Sequence, residues 1–423
     1  MSAIPHRWER AVPIYNQKIL TAPVIFWGVL AVIGLTLSLG RLFTGLWFTG
    51  MNDDYAWGVW KTFNVMTLTA LGSAGLAVAL FTYVFGQKQL HPVMRTAVSS
   101  SILFYGTGMT ALAIDVGRPW NLYMLALPWN WNLHSALFEV ALCMTAYVAL
   151  FLTFENAFPV LDRVAMTATP ERKAKIEVWK KRMTKIYPFM VAGAILLPAM
   201  HQSSLGSLMV IAGHKVHPLW QTQMLPAFYL IQAVICGFAA LIFILMSADL
   251  AWRRPLEIGI LADLAMFMSW TSLTFIGLRY IDLAIRGQVA TAFRADWYAG
   301  LFHLENLLVL VPALILLNAR MRIIPRVLFV TATLTGIGGI LYRFSPTTIA
   351  YRAGHPSVYF PKIAELLMCL GYIGLAVILF IWAAKRFALL PGTGNDWDRY
   401  VKQFPKSEKS RTPAPARELR AES

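Results

Sequence analysis

Residues 196–208 read LLPAMHQSSLGSL. A proline, a histidine, a glutamine and three serines interrupt a stretch that is otherwise apolar. The stretch lies inside an apolar block over 187–211, and a block of about 20 residues can cross a hydrocarbon layer about 30 Å thick. His201, Gln202, Ser203 and Ser204 then sit in mid-crossing, where bulk water cannot satisfy them. Either they face the interior of a helix bundle or the block does not cross.

The rest of the chain favours the bundle. Of its 423 residues, 57% are hydrophobic and only 14% charged, against about 25% charged in soluble domains; mean hydropathy is +0.57. The apolar residues fall in long blocks, which predict ten helices over 20–45, 57–86, 93–116, 131–157, 187–211, 222–252, 258–284, 298–319, 326–343 and 361–386. The expected fold is an all-α, polytopic transmembrane helix bundle.

The net charge of +16 could suggest a nucleic-acid partner, but its distribution argues for a membrane. With ten spans and the N-terminus inside, 27 of the 37 Lys and Arg fall on the cytoplasmic side, as positive-inside topology requires. Eight of them lie between Arg163 and Lys185. Residues 1–19 are polar and lack a cleavage pattern, so they read as a cytoplasmic N-terminal segment before a membrane domain over 20–388. The polar, proline-containing stretch 389–423 reads as a disordered basic cytoplasmic tail.

Few motifs compete. There is no Gly-rich phosphate loop, nucleophile elbow or HExxH zinc motif. Cys143, Cys236 and Cys369 each lie in an apolar block without CxxC spacing; three thiols cannot hold an iron–sulfur cluster, which takes about four. No metal site is expected.

The informative residues are ionisable ones inside or beside the spans: Glu139, His134, His201, His303, Glu305 and Glu365. Ionised groups at such depths cost several kcal/mol unless paired, solvated or neutralised. Near the outer ends of the spans stand IDVGRPWN, with Asp115 and Arg118, and GHKVHPLWQ. For Glu305 and Glu365 helix N-terminal stabilisation would suffice; Glu155, Asp249 and Asp263 lie at cytoplasmic ends. A quinone would use His, carboxyl and aromatic groups together, because its ring takes an apolar slot, its carbonyls take donors, and its reduction moves two protons. A b-type haem would need two facing axial histidines, and only His134, His201 and His303 are placed within spans, so haem b is the less favoured cofactor. A transporter would explain polar mid-span residues but not the rich outer loops.

The strings AWGVWKTFNV (56–65), IDVGRPWNL (114–122), LFEVALCMT (137–145), LLPAMHQSSLGSLM (196–209), KVHPLWQ (215–221) and MLP (224–226) resemble the membrane subunit of hydrogenase-2-type NiFe hydrogenases, the HybB family, within the wider NrfD/PsrC group of quinone-interacting subunits. The resemblance runs from about residue 20 to 388. It implies two four-helix bundles with extra peripheral helices, in the bacterial inner membrane. It implies electrons exchanged on the outer face with a ferredoxin-like iron–sulfur subunit, itself paired with a catalytic pair such as a NiFe hydrogenase. Menaquinone or ubiquinone would be the substrate. The alternative within the wider group is a quinol-oxidising or haem-bearing anchor of a sulfur-compound complex.

Carried onto this sequence, the resemblance puts the quinone site near the outer end of the first bundle, with Asp115, Arg118, His134, Glu139, His201, Gln202, Ser203 and Ser204. Glu139 is the expected proton donor or relay, and His134 or His201 the expected hydrogen-bond donor to a quinone carbonyl. Asp115 and Arg118 would order the loop or dock the partner. Pro198 and Gly206 would let the helix deform around the site, with the serines re-satisfying freed carbonyls.

Overall fold

The computed structural model describes residues 18–391 apart from 133, 167, 253, 255, 354–358 and 388. Nearly all of the N-terminal segment and of the C-terminal tail expected above lies outside the described residues. Among the described residues ten helices are long and apolar enough to cross a membrane: α1 (Ala22–Thr44), α2 (Val59–Val84), α3 (Lys88–Asp115), α4 (Ala136–Ala165), α5 (Pro170–Lys215), α6 (Leu225–Ala251), α7 (Ile258–Ile285), α8 (Trp297–Leu317), α9 (Pro325–Ile349) and α10 (Ile363–Arg386). Among the described residues the only β pairing is one isolated bridge, Val216 with Tyr351.

Helix starts follow local chemistry. Proline stands in the first turn of α5 and α9, where its missing N–H costs nothing. Ser135 caps α4 by accepting from the Phe138 amide at 3.3 Å. The Asp296 carboxylate caps α8 through the Ala299 amide at 2.8 Å.

Two helices depart from the expected bounds. α4 begins at Ala136, not at 131, because Pro128 and the Ser135 cap keep the preceding segment in short turns. α5 begins at Pro170, not at 187, and is α-helical for 43 residues, or about 65 Å at 1.5 Å per residue. Its basic first third needs no lipid, since intrahelical bonds satisfy its backbone in water as well. Asp162 at the end of α4 holds this extension by ion pairs to Arg95 at 3.0 Å and Lys180 at 2.6 Å.

Packing gives two rings of four. Helices α2–α5 close one bundle and α6–α9 a second, with α6 seated on α2 and α5 to join them. α1 and α10 pair with each other and lie against α2 and α3. Lipid gives little hydrophobic drive between helices, so close backbone approach at small residues carries association. A Cβ on Gly371 of α10 would lie 2.5 Å from the Gly34 Cα of α1, and one on Gly237 of α6 would lie 2.5 Å from the Ser73 carbonyl oxygen of α2. Gly206 does the same between α5 and α6, where a Cβ would lie 2.5 Å from the Leu225 carbonyl oxygen. That glycine therefore serves close packing, and α5 stays a continuous helix through Pro198, rather than deforming there as expected.

The end of the bundle opposite the basic extension carries the ordered loops. Glu365, fully buried in the first turn of α10, accepts from the Gly50 amide and the Tyr359 hydroxyl, both at 2.7 Å, and so clamps the α1–α2 loop as well as its own helix end. In the α5–α6 loop, His217 donates its amide to the Ala350 carbonyl at 2.9 Å. Its ring stacks on Tyr298 at 4.4 Å between centroids. Burial pushes the His217 imidazole down from 6.5 to about 4, and the Arg352 and Arg294 charges add to this against Asp296.

A Gly371→Val substitution should lower stability by about 1–3 kcal/mol through overpacking, read as a lower thermal midpoint in detergent. For His217 the clasp is at full strength above the unfolded value near 6.5, and weakens as pH falls towards 4, because the opened loop then binds the proton more readily. Amide exchange over 213–224, corrected for its chemical rate, should accelerate between pH 7 and pH 5 in the wild type but not in His217→Phe.

Candidate functional site

The polar stretch of α5 around His201 and Gln202 faces the interior of the first bundle. His201 and Gln202 are both fully buried. The His201 Nδ1 lies 3.0 Å from the Val140 carbonyl oxygen of α4. A carbonyl only accepts, so Nδ1 carries the proton, and in the neutral ring Nε2 is left as an acceptor. That Nε2 is buried with no partner. Gln202 donates its Nε2 to the Tyr105 hydroxyl of α3 at 3.0 Å, while its Oε1 is also buried and unpartnered.

Tyr105 ties these residues to α2. Its ring meets His201 and Tyr147 edge-on at 5.4 and 5.0 Å, and its hydroxyl is 3.4 Å from the Ser73 Oγ. Ser73 donates to the Thr69 carbonyl at 3.0 Å, so its oxygen is free to accept from Tyr105. Ser73 stands where α2 breaks, between the helical turns ending at Leu71 and restarting at Ala74. The Gly75 amide beyond the break is satisfied by the Ser101 Oγ of α3 at 2.8 Å. The result is a directed chain from the Gln202 amide through Tyr105 and Ser73, with two bare acceptors at its α5 end.

A second group lies at the loop-rich end. Lys61 pairs with Asp115 at 2.8 Å and stands 5.5 Å from the centre of the Trp57 ring. Arg41 donates to the Asp115 backbone carbonyl at 2.6 Å, and the Asp115 Oδ1 is buried and unpartnered. Asp115 is ten residues along α3 from Tyr105, about 15 Å at helical rise, so the sequence-predicted residues form two tiers. Arg118 is exposed. His134 is not within a span; it is exposed, in the turn before α4, with its amide donating to the Asn132 Oδ1 at 3.2 Å. Glu139 is half-buried in the first turn of α4, next to the Val140 that holds His201. Among the described residues no hydrogen bond joins Glu139 to His201. Ser203 is half-buried, and Ser204 donates its hydroxyl to the Met200 carbonyl of its own helix at 2.8 Å, which leaves its oxygen able to accept.

Sequence reasoning passed over Lys61, Arg41, Tyr105 and Ser73. Lys61 was visible inside AWGVWKTFNV; a tyrosine and a serine in apolar blocks carry no such mark. In the core of the second bundle it marked Glu305 but passed over the partners Arg279, Trp220 and Ser345. There Glu305, 1% exposed, forms an ion pair with Arg279 and accepts from Trp220 and Ser345, each at 2.7 Å, so it is far more than a helix-end charge. Arg279 reaches Asn306 at 2.6 Å.

His201 and His303 do not form a bis-histidine haem site together. His303 donates by Nε2 to the Ala292 carbonyl at 2.8 Å and has Tyr280 at its Nδ1. It also belongs to the second bundle, whereas His201 belongs to the first. No group of three or more His, Cys, Asp or Glu able to hold a metal occurs among the described residues. The bare acceptors at His201 and Gln202 suit a donor instead, either a hydroxyl or a water.

Comparison with known proteins accords with this architecture. Residues 47–348 match the family model described as Polysulphide reductase, NrfD. The "Probable Ni/Fe-hydrogenase 2 b-type cytochrome subunit" of Escherichia coli (strain K12) is 36% identical over 391 residues, 90% of this chain and 96% of that one. A protein of Nitratidesulfovibrio vulgaris (strain Hildenborough) is 26% identical over 390 residues, 89% of this chain and 96% of its own length. From the same organism, "Menaquinone reductase, integral membrane subunit" is 28% identical over 178 residues, 41% of this chain and 40% of that one. With the family match running from the α1–α2 loop to the end of α9, and likeness to the hydrogenase 2 subunit along nine-tenths of its length, this multi-pass membrane protein belongs to the polysulphide reductase NrfD family.

Proposed function

We propose that this chain is the quinone-reactive membrane subunit of a hydrogenase-2-type NiFe hydrogenase. The observation that carries the reading is the end-to-end likeness to the hydrogenase 2 b-type cytochrome subunit of Escherichia coli. The partial likeness to a menaquinone reductase membrane subunit supports the choice of quinone. In this reading the protein sits in the bacterial inner membrane with both termini in the cytoplasm, residues 20–388 forming the membrane domain between a short N-terminal segment and a basic tail. The loop-rich end then faces outward and meets an iron–sulfur subunit of the hydrogenase. Menaquinone or ubiquinone is the substrate.

The chemistry asked of the chain is modest. Two electrons come from the iron–sulfur partner, and the quinone takes up two protons to become the quinol; the reverse flow is equally available. Glu139 at the head of α4 supplies or relays one proton. His201 works as an acceptor through its bare Nε2, taking a hydrogen bond from a quinol hydroxyl or from a water that hands a proton on, with the Gln202 Oε1 beside it. Tyr105 and Ser73 hold both side chains still. Ser203 contributes from the half-buried flank of α5. Lys61, Asp115 and Arg41 brace the rim, and exposed Arg118 and His134 are free to meet the partner or the quinone.

The test compares quinone reduction by the purified complex with reduction of an artificial acceptor that draws electrons from the partner subunits. Glu139→Gln should cut quinone turnover by about 10² or more, the usual contribution of a positioned acid–base group, with the artificial acceptor unaffected. Equal rates for both acceptors in variant and wild type would remove Glu139 from the chemistry. Tyr105→Phe leaves the Gln202 amide without its buried acceptor, a loss of about 1–3 kcal/mol. It should lower the thermal midpoint and quinone turnover together.

A further inference from the structure

Arg343 lies in the last α-helical turn of α9 and is fully buried. Its Nε donates to the Gln232 Oε1 at 3.1 Å and its Nη2 to the Tyr229 backbone carbonyl at 2.7 Å, with the guanidinium carbon 4.0 Å from the centre of the Tyr229 ring. Gly339, one turn earlier, leaves room for this arrangement, since a Cβ there would collide with the Gln232 amide and the Cys236 thiol. None of these partners is a carboxylate, and the Nη1 has no partner. Among the described residues the ion pairs of the second bundle's core give Glu305 to Arg279 and nothing to Arg343. Two arginines against one carboxylate leave an uncompensated positive charge in a membrane interior, which is costly and marks a functional group.

The charge is placed at the joint between bundles. Gln232 belongs to α6, the helix that packs on α2 beside the Ser73 break. Gly237, on the same helix as Gln232, lies against Ser73, which meets Tyr105 and through it Gln202, so Arg343 and the first bundle's polar chain stand on the two sides of one seam. We propose that Arg343 is a positioning residue for the first bundle's site, lent by the second bundle, whose fixed positive charge favours the arrival of electrons on a quinone bound beside His201 and Gln202. The proposal rests on the quinone reading above. The overall step is unchanged: two electrons from the iron–sulfur partner and two protons convert quinone to quinol. The arginine neither gives nor takes a proton; it stabilises the negative charge present whenever an electron precedes its proton. A unit charge acting over about 10 Å through a protein interior changes such a step on the order of tenfold.

The experiment uses the purified complex with wild type, Arg343→Met and Arg343→Lys, measuring kcat and KM for a series of soluble quinones of falling reduction potential, with the artificial acceptor as control. Arg343→Met should lose about tenfold in kcat with little change in KM, the loss growing as the quinone's potential falls. Its artificial-acceptor rate should not decline, and Arg343→Lys should restore most of the rate. Wild-type kcat in Arg343→Met, a loss independent of quinone potential, or equal losses in the Met and Lys variants would overturn the proposal. If the wild-type complex reduces the artificial acceptor but no quinone, the functional reading itself fails; if only the Arg343 pattern is missing, that reading stands without it.

Discussion

A peptide group in hydrocarbon has no water to bond to, and each unpaired N–H or C=O there costs several kcal/mol. The ten helices answer that constraint, and so do their irregularities. Where α2 breaks at Gly72 and Ser73, the Ser101 hydroxyl of α3 serves the Gly75 amide and Ser73 serves the Thr69 carbonyl. Where α4 starts late, Ser135 caps it. Where α10 starts, Glu365 takes the Gly50 amide and the Tyr359 hydroxyl in addition to its own helix end. Much of the polarity inside this protein is therefore structural, which gives weight to the few polar atoms that no backbone group employs.

Several of those atoms lie on helices that meet at the joint of the two bundles. The His201 Nε2 and Gln202 Oε1 of the first bundle, and the Tyr229 hydroxyl and Arg343 Nη1 of the second, are all buried and unpartnered. The joint itself exists because Gly237 and Gly206 admit a neighbouring backbone at distances that any side chain would forbid. The bundles differ in electrostatic character. His201, Gln202, Tyr105 and Ser73 offer hydrogen bonds without fixed charge, while Arg279, Glu305 and Arg343 hold fixed charges. α2 also adopts π-helical turns over Thr62–Thr67 and Leu80–Val84 on either side of its break, a distortion often found beside functional sites.

The fold was readable from composition because the bilayer makes length and hydropathy nearly sufficient. Eight of the ten helices follow the apolar blocks closely; α4 starts and ends later than its block, at Ala136 and Ala165, and α5 runs far beyond its own, because the basic stretch from Pro170 is held by Asp162 and a helix does not need lipid to persist. The candidate site was readable only in part. His201 and Gln202 stood out as polar residues in an apolar block, and they are buried in the bundle interior. His134, read as lying in a span, is in an exposed turn, since a helix cap cannot be placed from hydropathy alone. Tyr105 and Arg343 were invisible for opposite reasons: an aromatic in a span resembles any core residue, and an arginine at the edge of an apolar block resembles an interfacial one.

By itself the sequence determined that this chain crosses a membrane ten times as helices, and which blocks of residues do so, because the cost of unpaired backbone in lipid leaves no other solution. It also marked the polar residues that must turn inward. Tertiary structure alone decided which of them meet. The direction of a side chain depends on helix rotation and on glycine-enabled approach between helices far apart in sequence, and neither leaves a trace in hydropathy. Those contacts set His201 against Val140, Gln202 against Tyr105, and Arg343 at the seam without a counter-charge.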